Sequence, residues 1–353
     1  MFRKLSLIML MLLAYYATAE CAENGATVST MGKGLQGKQV IDDRPNNRDD
    51  WGTVTINGAT YTMNSTSTLI DADIALLDLK AQGNAGTATV SASIGGASYS
   101  GYQNVYNAVY NLLVAHNTHS FPTGGHNGGY IWPVDSENDA IWYIEPGKTA
   151  TLQYDYAGRA KKRLVVCGEG TLKRVNNQIL RSLYVNGDAT TPNPTICLQG
   201  NVTIDGSKNP SLNIHTWSML SVQKGTIYMA DNVKVTNCAS KRTSTALTSI
   251  NAGGGAATVL ADGKLYMMGN AVIENCESYY NGAGNTEALR SNGGAVCIEG
   301  GVFKMMDNAK ISDCSTSTNA EWSLGGAVYM TSGSFTMNDN AVIEKCWAKV
   351  RRL

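Results

Sequence analysis

The sequence predicts an all-β protein wound as a parallel β-helix. Three observations carry that expectation. Residues 218–238, 256–276, 294–314 and 326–346 superpose without a gap, as SMLSVQKGTIYMADNVKVTNC, AATVLADGKLYMMGNAVIENC, GAVCIEGGVFKMMDNAKISDC and GAVYMTSGSFTMNDNAVIEKC. Apolar residues alternate inside each block: Val328 and Met330, Phe335 and Met337, Ala341 and Ile343 in the last. A period of two marks strands with one buried face. The composition fits an extracellular β-rich chain, with 37 Gly among 353 residues and only 16% charged residues.

Each block reads as three short strands, with one turn near a recurring Gly and one around a recurring Asn. The glycines are Gly225, Gly263, Gly301 and Gly333, and the asparagines Asn232, Asn270, Asn308 and Asn340. Between them recur Met229, Met267, Met305 and Met337, and each block closes on a cysteine, Cys238, Cys276, Cys314 or Cys346. One block cannot bury its own apolar face. Stacked on its copies it can, which is the logic of a solenoid. Gly supplies the positive φ that a turn requires. Asn has two readings, a ladder of side-chain amides serving the turns or a row that binds ligand.

Stacked cysteines are expected to remain thiols. Neighbouring strands lie ~4.8 Å apart, whereas a disulfide wants Cβ atoms about 3.8 Å apart with a near-perpendicular torsion. A column of small apolar thiols fits better. Zinc is not expected, because no Cys-x-x-Cys pair or matching His pair exists.

Taken in order, residues 1–19 read as a secretory signal. Arg3 and Lys4 precede an apolar run over 5–13, and Ala17-Thr18-Ala19 fits the cleavage rule. Glu20 before Cys21 argues for ordinary export rather than lipid attachment. Residues 20–50 are polar and read as a flexible leader. No later apolar run is long enough to span a membrane.

Residues 51–140 read as an N-terminal β segment with a capping helix. VTINGATYTM and ASIGGASYSGY share Ile-x-Gly-Ala/Gly-x-Tyr, and Asn57-Gly58 and Gly95-Gly96 read as two-residue hairpin turns. Tyr102, Val105, Tyr106, Val109 and Leu113 then fall at helical spacing over 100–115, the one helix expected beyond the signal. A hairpin followed by a helix is expected to cover the open end of the first coil. The other reading is a small independent α+β domain. The loop at 116–138 holds His116, His119 and His126, but no metal-binding pattern such as His-Glu-x-x-His accompanies them.

Residues 141–353 read as about seven coils. Weak coils begin at Ile141, Leu164 and Thr195. Aligning Tyr143, Cys167, Cys197, Ser221, Val259, Cys297 and Tyr329 gives steps of 24, 30, 24, 38, 38 and 32 residues. The longer steps hold inserted loops at 239–255, 277–293 and 315–325, expected to leave from one edge. Only seven residues follow Cys346, too few to cap the last coil, so the chain reads as a fragment of a longer surface protein.

At GGAVYMTSGSFTMNDNAVIEKC the chain resembles bacterial right-handed β-helix surface proteins. These are the polymorphic outer membrane protein group and the large adhesin-like proteins of host-associated bacteria. Gly293-Gly294-Ala295-Val296 and Gly325-Gly326-Ala327-Val328 match the Gly-Gly-Ala-apolar motif of that group. Ile311-x-x-Cys314 stands where the group has Phe-x-x-Asn. The resemblance covers roughly residues 160–346, and residues 92–113 also resemble the hairpin-plus-helix that opens pectate-lyase-like solenoids. It implies a right-handed helix, a secreted or cell-surface location and an adhesive role, with no catalytic residue carried over.

Two functions follow. One is an adhesin-like binding or structural module whose inserted loops meet a glycan or protein of a host or cell surface, with no cofactor and no metal. The other is a polysaccharide lyase or glycoside hydrolase, for which Asp155, Asp205, Lys208 and His215 are the candidates. Glycoside cleavage needs two flanking carboxylates, and outward positions in the strong coils read as Thr, Ser, Tyr and Lys with no acid pair repeated on one face. Lys+Arg and Asp+Glu balance at 28 each, so nothing electrostatic favours nucleic acid.

Overall fold

A computed structural model describes residues 51–121, 130–131, 139–152, 156–158, 163–174, 183–187, 193–208, 217–242, 253–280, 290–318 and 322–350. The signal and leader readings lie outside these residues. The chain is mostly β, with two helices among the described residues.

The repeats form parallel sheets. Sheet I has ten strands, and its main path runs from Val328–Met337 through Val296–Met305, Ala257–Met267, Leu220–Met229, Thr195–Leu198, Arg163–Gly168 and Ala140–Ile144 to His119–Phe121. Sheet II has eight short strands in the same order, from Val342–Glu344 to Tyr130–Ile131. Along the chain, strands of sheet I are followed by strands of sheet II, so each passage extends both sheets. His119–Phe121 and Tyr130–Ile131 pair in parallel with the strands that follow them. The stretch read as a histidine loop therefore contains a first passage.

The register confirms the repeat alignment and corrects its details. Met229 opposes Met267, Met267 opposes Met305, and Met305 opposes Met337. Upstream, Cys197 opposes Val165 and Tyr228, not Cys167 and Ser221. The long strand Leu220–Met229 stacks its first half on Leu183–Asn186 and its second on Thr195–Leu198. Two short segments there do the work of one later strand, so single-strand spacing misaligns them. Val259 opposes Val222 and Ile298, one residue from the expected column, and a one-residue slip exchanges faces.

The recurring Gly is a bend within one strand, not a turn. Leu220–Met229, Ala257–Met267, Val296–Met305 and Val328–Met337 each run straight through it. The register shifts beside it, as at a β-bulge. A Cβ on Gly225 would lie 2.3 Å from the Pro194 carbonyl oxygen, and one on Gly333 2.2 Å from that of Gly301. Close backbone approach selects glycine here. Gly225 and Gly333 also take the positive φ expected of the recurring Gly, at +124° and +95°. Left-handed backbone falls too on Asp231, Gly269, Asp307 and Asp339, immediately before the recurring Asn, and on Asn237, Asn275, Asp313 and Lys345, immediately before the recurring Cys.

A third parallel sheet follows each cysteine: Ala239–Arg242, Glu277–Tyr280, Ser315–Thr318 and Trp347–Val350. The first three of these were expected to be the starts of inserted loops. These segments are short and polar, without the apolar alternation that announces a strand.

The interior between the sheets is a column-by-column apolar core. Ile204, Val235, Ile273 and Ile311 stack from sheet II, facing Ile227, Leu265 and Phe303 from sheet I. Phe303 and Phe335 stack with ring centroids 5.1 Å apart. Cys238, Cys276 and Cys314 are buried there and Cys346 half-buried, all as free thiols.

Residues 51–115 form a second layer. Gly52–Ile56 and Ala59–Met63, and Val90–Ile94 and Ala97–Ser100, are the two expected hairpins, joined into one antiparallel sheet by Gly52–Ile56 against Val90–Ile94. Asn57, Gly58, Gly95 and Gly96 all have positive φ, as the primed turns require. Helix α1 (Thr66–Ala81) lies between the hairpins and helix α2 (Tyr102–Ala115) follows them. The sequence reading had only the second. Ser65 caps α1 through a reciprocal hydrogen-bond pair with Thr68.

This layer does not sit over the end of the first passage. It packs along the outer face of sheet I, where α1 and α2 share one apolar cluster with Ile141, Tyr143, Val165, Cys167, Cys197, Tyr228, Met268 and Met306. Sheet I is thus apolar on both faces, which explains why AIWYI is buried at all five positions. Polar contacts fix the position. The Tyr106 hydroxyl donates to Asp231 at 2.9 Å, Lys304 Nζ donates to the Ala81 carbonyl at 2.8 Å, and Lys80 pairs with Asp307 at 3.0 Å.

Candidate functional site

Sheet II presents the most regular outward surface. In each three-residue strand the central residue points inward, leaving two flanking columns. One runs Lys173, Asp205, Thr236, Glu274, Ser312, Glu344. The other includes Thr171, Thr203, Lys234, Val272, Lys310 and Val342. Acids therefore do recur on one face, at Asp205, Glu274 and Glu344, two strands apart each time. The aligned blocks already put Glu274 and Glu344 at one position, two residues before the closing Cys, and the register adds Asp205 to their column.

Lysines on neighbouring strands neutralise two of these acids. Lys234 Nζ lies 3.1 Å from Glu274 Oε1, and Lys310 Nζ 2.6 Å from Glu344 Oε1. The Lys310 ammonium holds the Glu344 carboxyl below its ordinary range. A general acid needs the opposite shift. The surface is suited to holding hydrogen-bonding groups in register rather than to supplying a proton.

Two of the four enzyme candidates, Asp205 and Lys208, lie among the described residues. Asp205 Oδ1 accepts from the Ser207 amide at 2.8 Å, an Asx-type turn around Ser207, whose φ is +51°. Lys208 Nζ reaches the Asn275 carbonyl at 3.1 Å and its Oδ1 at 2.9 Å. Both side chains serve a corner of the fold. Asp155 and His215 lie outside the described residues, as do His126 and the side chain of His119. His116, at the C-cap of α2, stacks on Trp51 with centroids 3.8 Å apart. Among the described residues no group of three or more His, Cys, Asp or Glu is placed to hold a metal ion. Among them also, no helix is long and apolar enough to cross a membrane.

The recurring asparagines form an exposed ladder. Each Nδ2 donates to the Oδ1 of the preceding Asn: Asn340 to Asn308 at 3.3 Å, Asn308 to Asn270 at 3.1 Å, Asn270 to Asn232 at 2.9 Å, and Asn232 to Asn201 at 2.7 Å. The expected ladder is present, but its amides bond to one another rather than to the turn backbone, and Asn201 extends the row one passage upstream.

The inserts leave from one row. Arg242 opposes Tyr280, and Tyr280 opposes Thr318, at the ends of adjacent third-sheet strands. The departures come four residues later than the sequence reading placed them, because 239–242, 277–280 and 315–318 are strands. Beside this row the third sheet carries polar and aromatic groups. Lys241 Nζ sits 5.4 Å from the Tyr279 ring centroid, Ser317 Oγ donates to Glu277 at 2.6 Å, and Trp347 is 51% exposed. No family model, curated protein or solved structure matches this chain.

Proposed function

We propose that this chain is a right-handed parallel β-helix, exported to the cell surface, that binds a glycan or protein through the edge from which its inserts depart. Parallel crossovers in one sheet are right-handed in nearly every case, and a chain that returns passage after passage to the same parallel sheets is what such a helix produces. The observation that carries the binding reading is the in-register row Arg242, Tyr280, Thr318. A fixed core repeats while the variable segments all start from neighbouring strands, and solenoids bind through such faces. The surface location rests on the resemblance of the Gly-Gly-Ala-Val blocks and on the signal-like residues 1–19.

A second reading, glycan cleavage, has one observation in its favour. Asp205 and Glu274 are two strands apart, ~10 Å at the usual strand spacing, close to the separation used by inverting glycosidases. One experiment addresses both. The chain from residue 20 is applied to arrayed glycans and to surface-protein extracts, alongside a variant with 243–252 and 281–289 replaced by Gly-Ser segments of equal length. Binding that is lost in the variant supports the proposal. Binding that survives the replacement contradicts it. New reducing ends or unsaturated products from a polysaccharide, abolished by Glu274→Gln, would establish cleavage instead.

A further inference from the structure

Asp73 is a charged residue type in a place with no water. It lies in α1 with 0% exposure, against Gln199, also 0% exposed, at the end of sheet-I strand Thr195–Leu198. Gln199 Nε2 donates to Asp73 Oδ2 at 2.7 Å. The other two oxygens of this pair, Asp73 Oδ1 and Gln199 Oε1, are buried without a geometric hydrogen-bond partner, and the weak donor beside Asp73 is the Cys197 thiol. Two such acceptors, one on each member of a hydrogen-bonded pair, are costly to bury. One proton on Asp73 Oδ1 resolves both, because the acid then donates to Gln199 Oε1 while Nε2 donates back to Oδ2. The pair becomes a closed acid–amide ring.

We propose that Asp73 carries a proton in the folded protein, and that the Asp73–Gln199 acid–amide pair is a proton-dependent latch holding the helical layer against sheet I. The surroundings offer no cation to stabilise the ionised form. From sheet I the facing groups are Gln199 and the buried Cys167 and Cys197 thiols; from α2 they are Tyr102 and Tyr106; from the turn after Leu220–Met229 it is Asp231, itself an acid. The Tyr102 hydroxyl is buried and unpartnered. Lys80, further along α1, is engaged by Asp307. Burial first, with Asp231 adding to it, raises the Asp73 carboxyl to about 7, against the lowering by Gln199.

The sign follows from proton binding. The undocked layer holds Asp73 in water as an ordinary carboxyl, so undocking releases a proton between about pH 4 and 7. The latch is complete below that window and is lost as the pH rises through it.

Amide exchange of α1 and α2, corrected for intrinsic rates, tests this in the full chain against Asp73→Asn, whose amide keeps both arms of the ring at every pH. Relative to the variant, opening of the wild-type layer should increase roughly tenfold per pH unit across that window and then level off. Equal pH dependence in the two proteins would overturn the proposal. So would a variant less protected than wild type at pH 5. If the variant fails to fold, infrared difference spectra of the wild type decide. A protonated-carboxyl carbonyl band at pH 6 that titrates near 7 and shifts in Gln199→Leu supports the latch, and no such band refutes it.

Discussion

Met267 sits between Met229 and Met305 in a column where all three are fully buried. Truncating it to Ala should cost about 3 kcal/mol, the usual range for a large core residue. Asn270→Ala, which breaks two exposed rungs of the amide ladder, should cost about 1 kcal/mol or less. Urea unfolding of the two variants checks the order, and equal midpoints would contradict the assigned faces. The same comparison at Met337 and Val342 would not discriminate, although both faces are assigned alike by sequence. Met337 is 39% exposed and Val342 43%, because nothing among the described residues stacks on their passage. The thiols give a third test at this scale. Cys238, Cys276, Cys314 and Cys346 each donate to the carbonyl two residues earlier, at 3.1–3.3 Å. Burial pushes the Cys276 thiol well above its ordinary range. A thiol reagent should therefore modify Cys346 first in the native protein and all four after denaturation without reductant. A disulfide between any two, found by mass spectrometry, would overturn the column.

Among the elements, those with one buried face were legible and those buried on most sides or none were not. The hairpins at Asn57-Gly58 and Gly95-Gly96 and the helix α2 follow from turn chemistry and a one-sided apolar stripe. Helix α1 does not, because Leu69, Ile70, Ala72, Leu76, Leu77 and Leu79 spread its buried surface widely, Asp73 interrupts that surface, and its polar side is the narrow stripe of Ser67, Asp71 and Asp78. The reciprocal Ser65–Thr68 cap was its remaining local signal. The third-sheet strands escaped for the opposite reason, since ESYY and STST carry no apolar alternation and are placed by their parallel neighbours. One ion pair ties these layers together. Arg163 Nη2 lies 2.5 Å from Asp139 Oδ2, with Nε at 3.2 Å from both carboxylate oxygens, and the same guanidinium reaches Asp71 in α1. Arg163→Ala would leave the Asp139 carboxylate, 6% exposed, without its cation, at a cost of about 3 kcal/mol. Thermal unfolding that moves by less than a degree would show the pair to be dispensable.

Across the whole molecule, the helical layer lies along the flank of sheet I rather than over its end. That placement was not legible, because an apolar run such as IWYI reads the same whether one face is buried or both. The exposed end is at the other pole. Met330, Met337, Val342 and Trp347 are its exposed large apolar side chains, and among the described residues Val328–Met337, Val342–Glu344 and Trp347–Val350 each pair on one side. A protein spanning residues 20–353 should associate end to end through that passage, and Met337→Lys with Val342→Lys should suppress it. Light scattering showing the unmodified chain as a monomer at tens of micromolar, a concentration where exposed edges normally associate, would count against this. The central claim is the in-register parallel stack, and distances between spin labels on sheet II test it most directly. Val342 paired in turn with Lys234, Thr203, Thr171 and Thr149 lies three, four, five and six strands away in one column. At ~4.8 Å per strand the separations should rise in equal steps from ~14 to ~29 Å. Separations that fail to rise step by step, or that fold back toward shorter values, would contradict the stack.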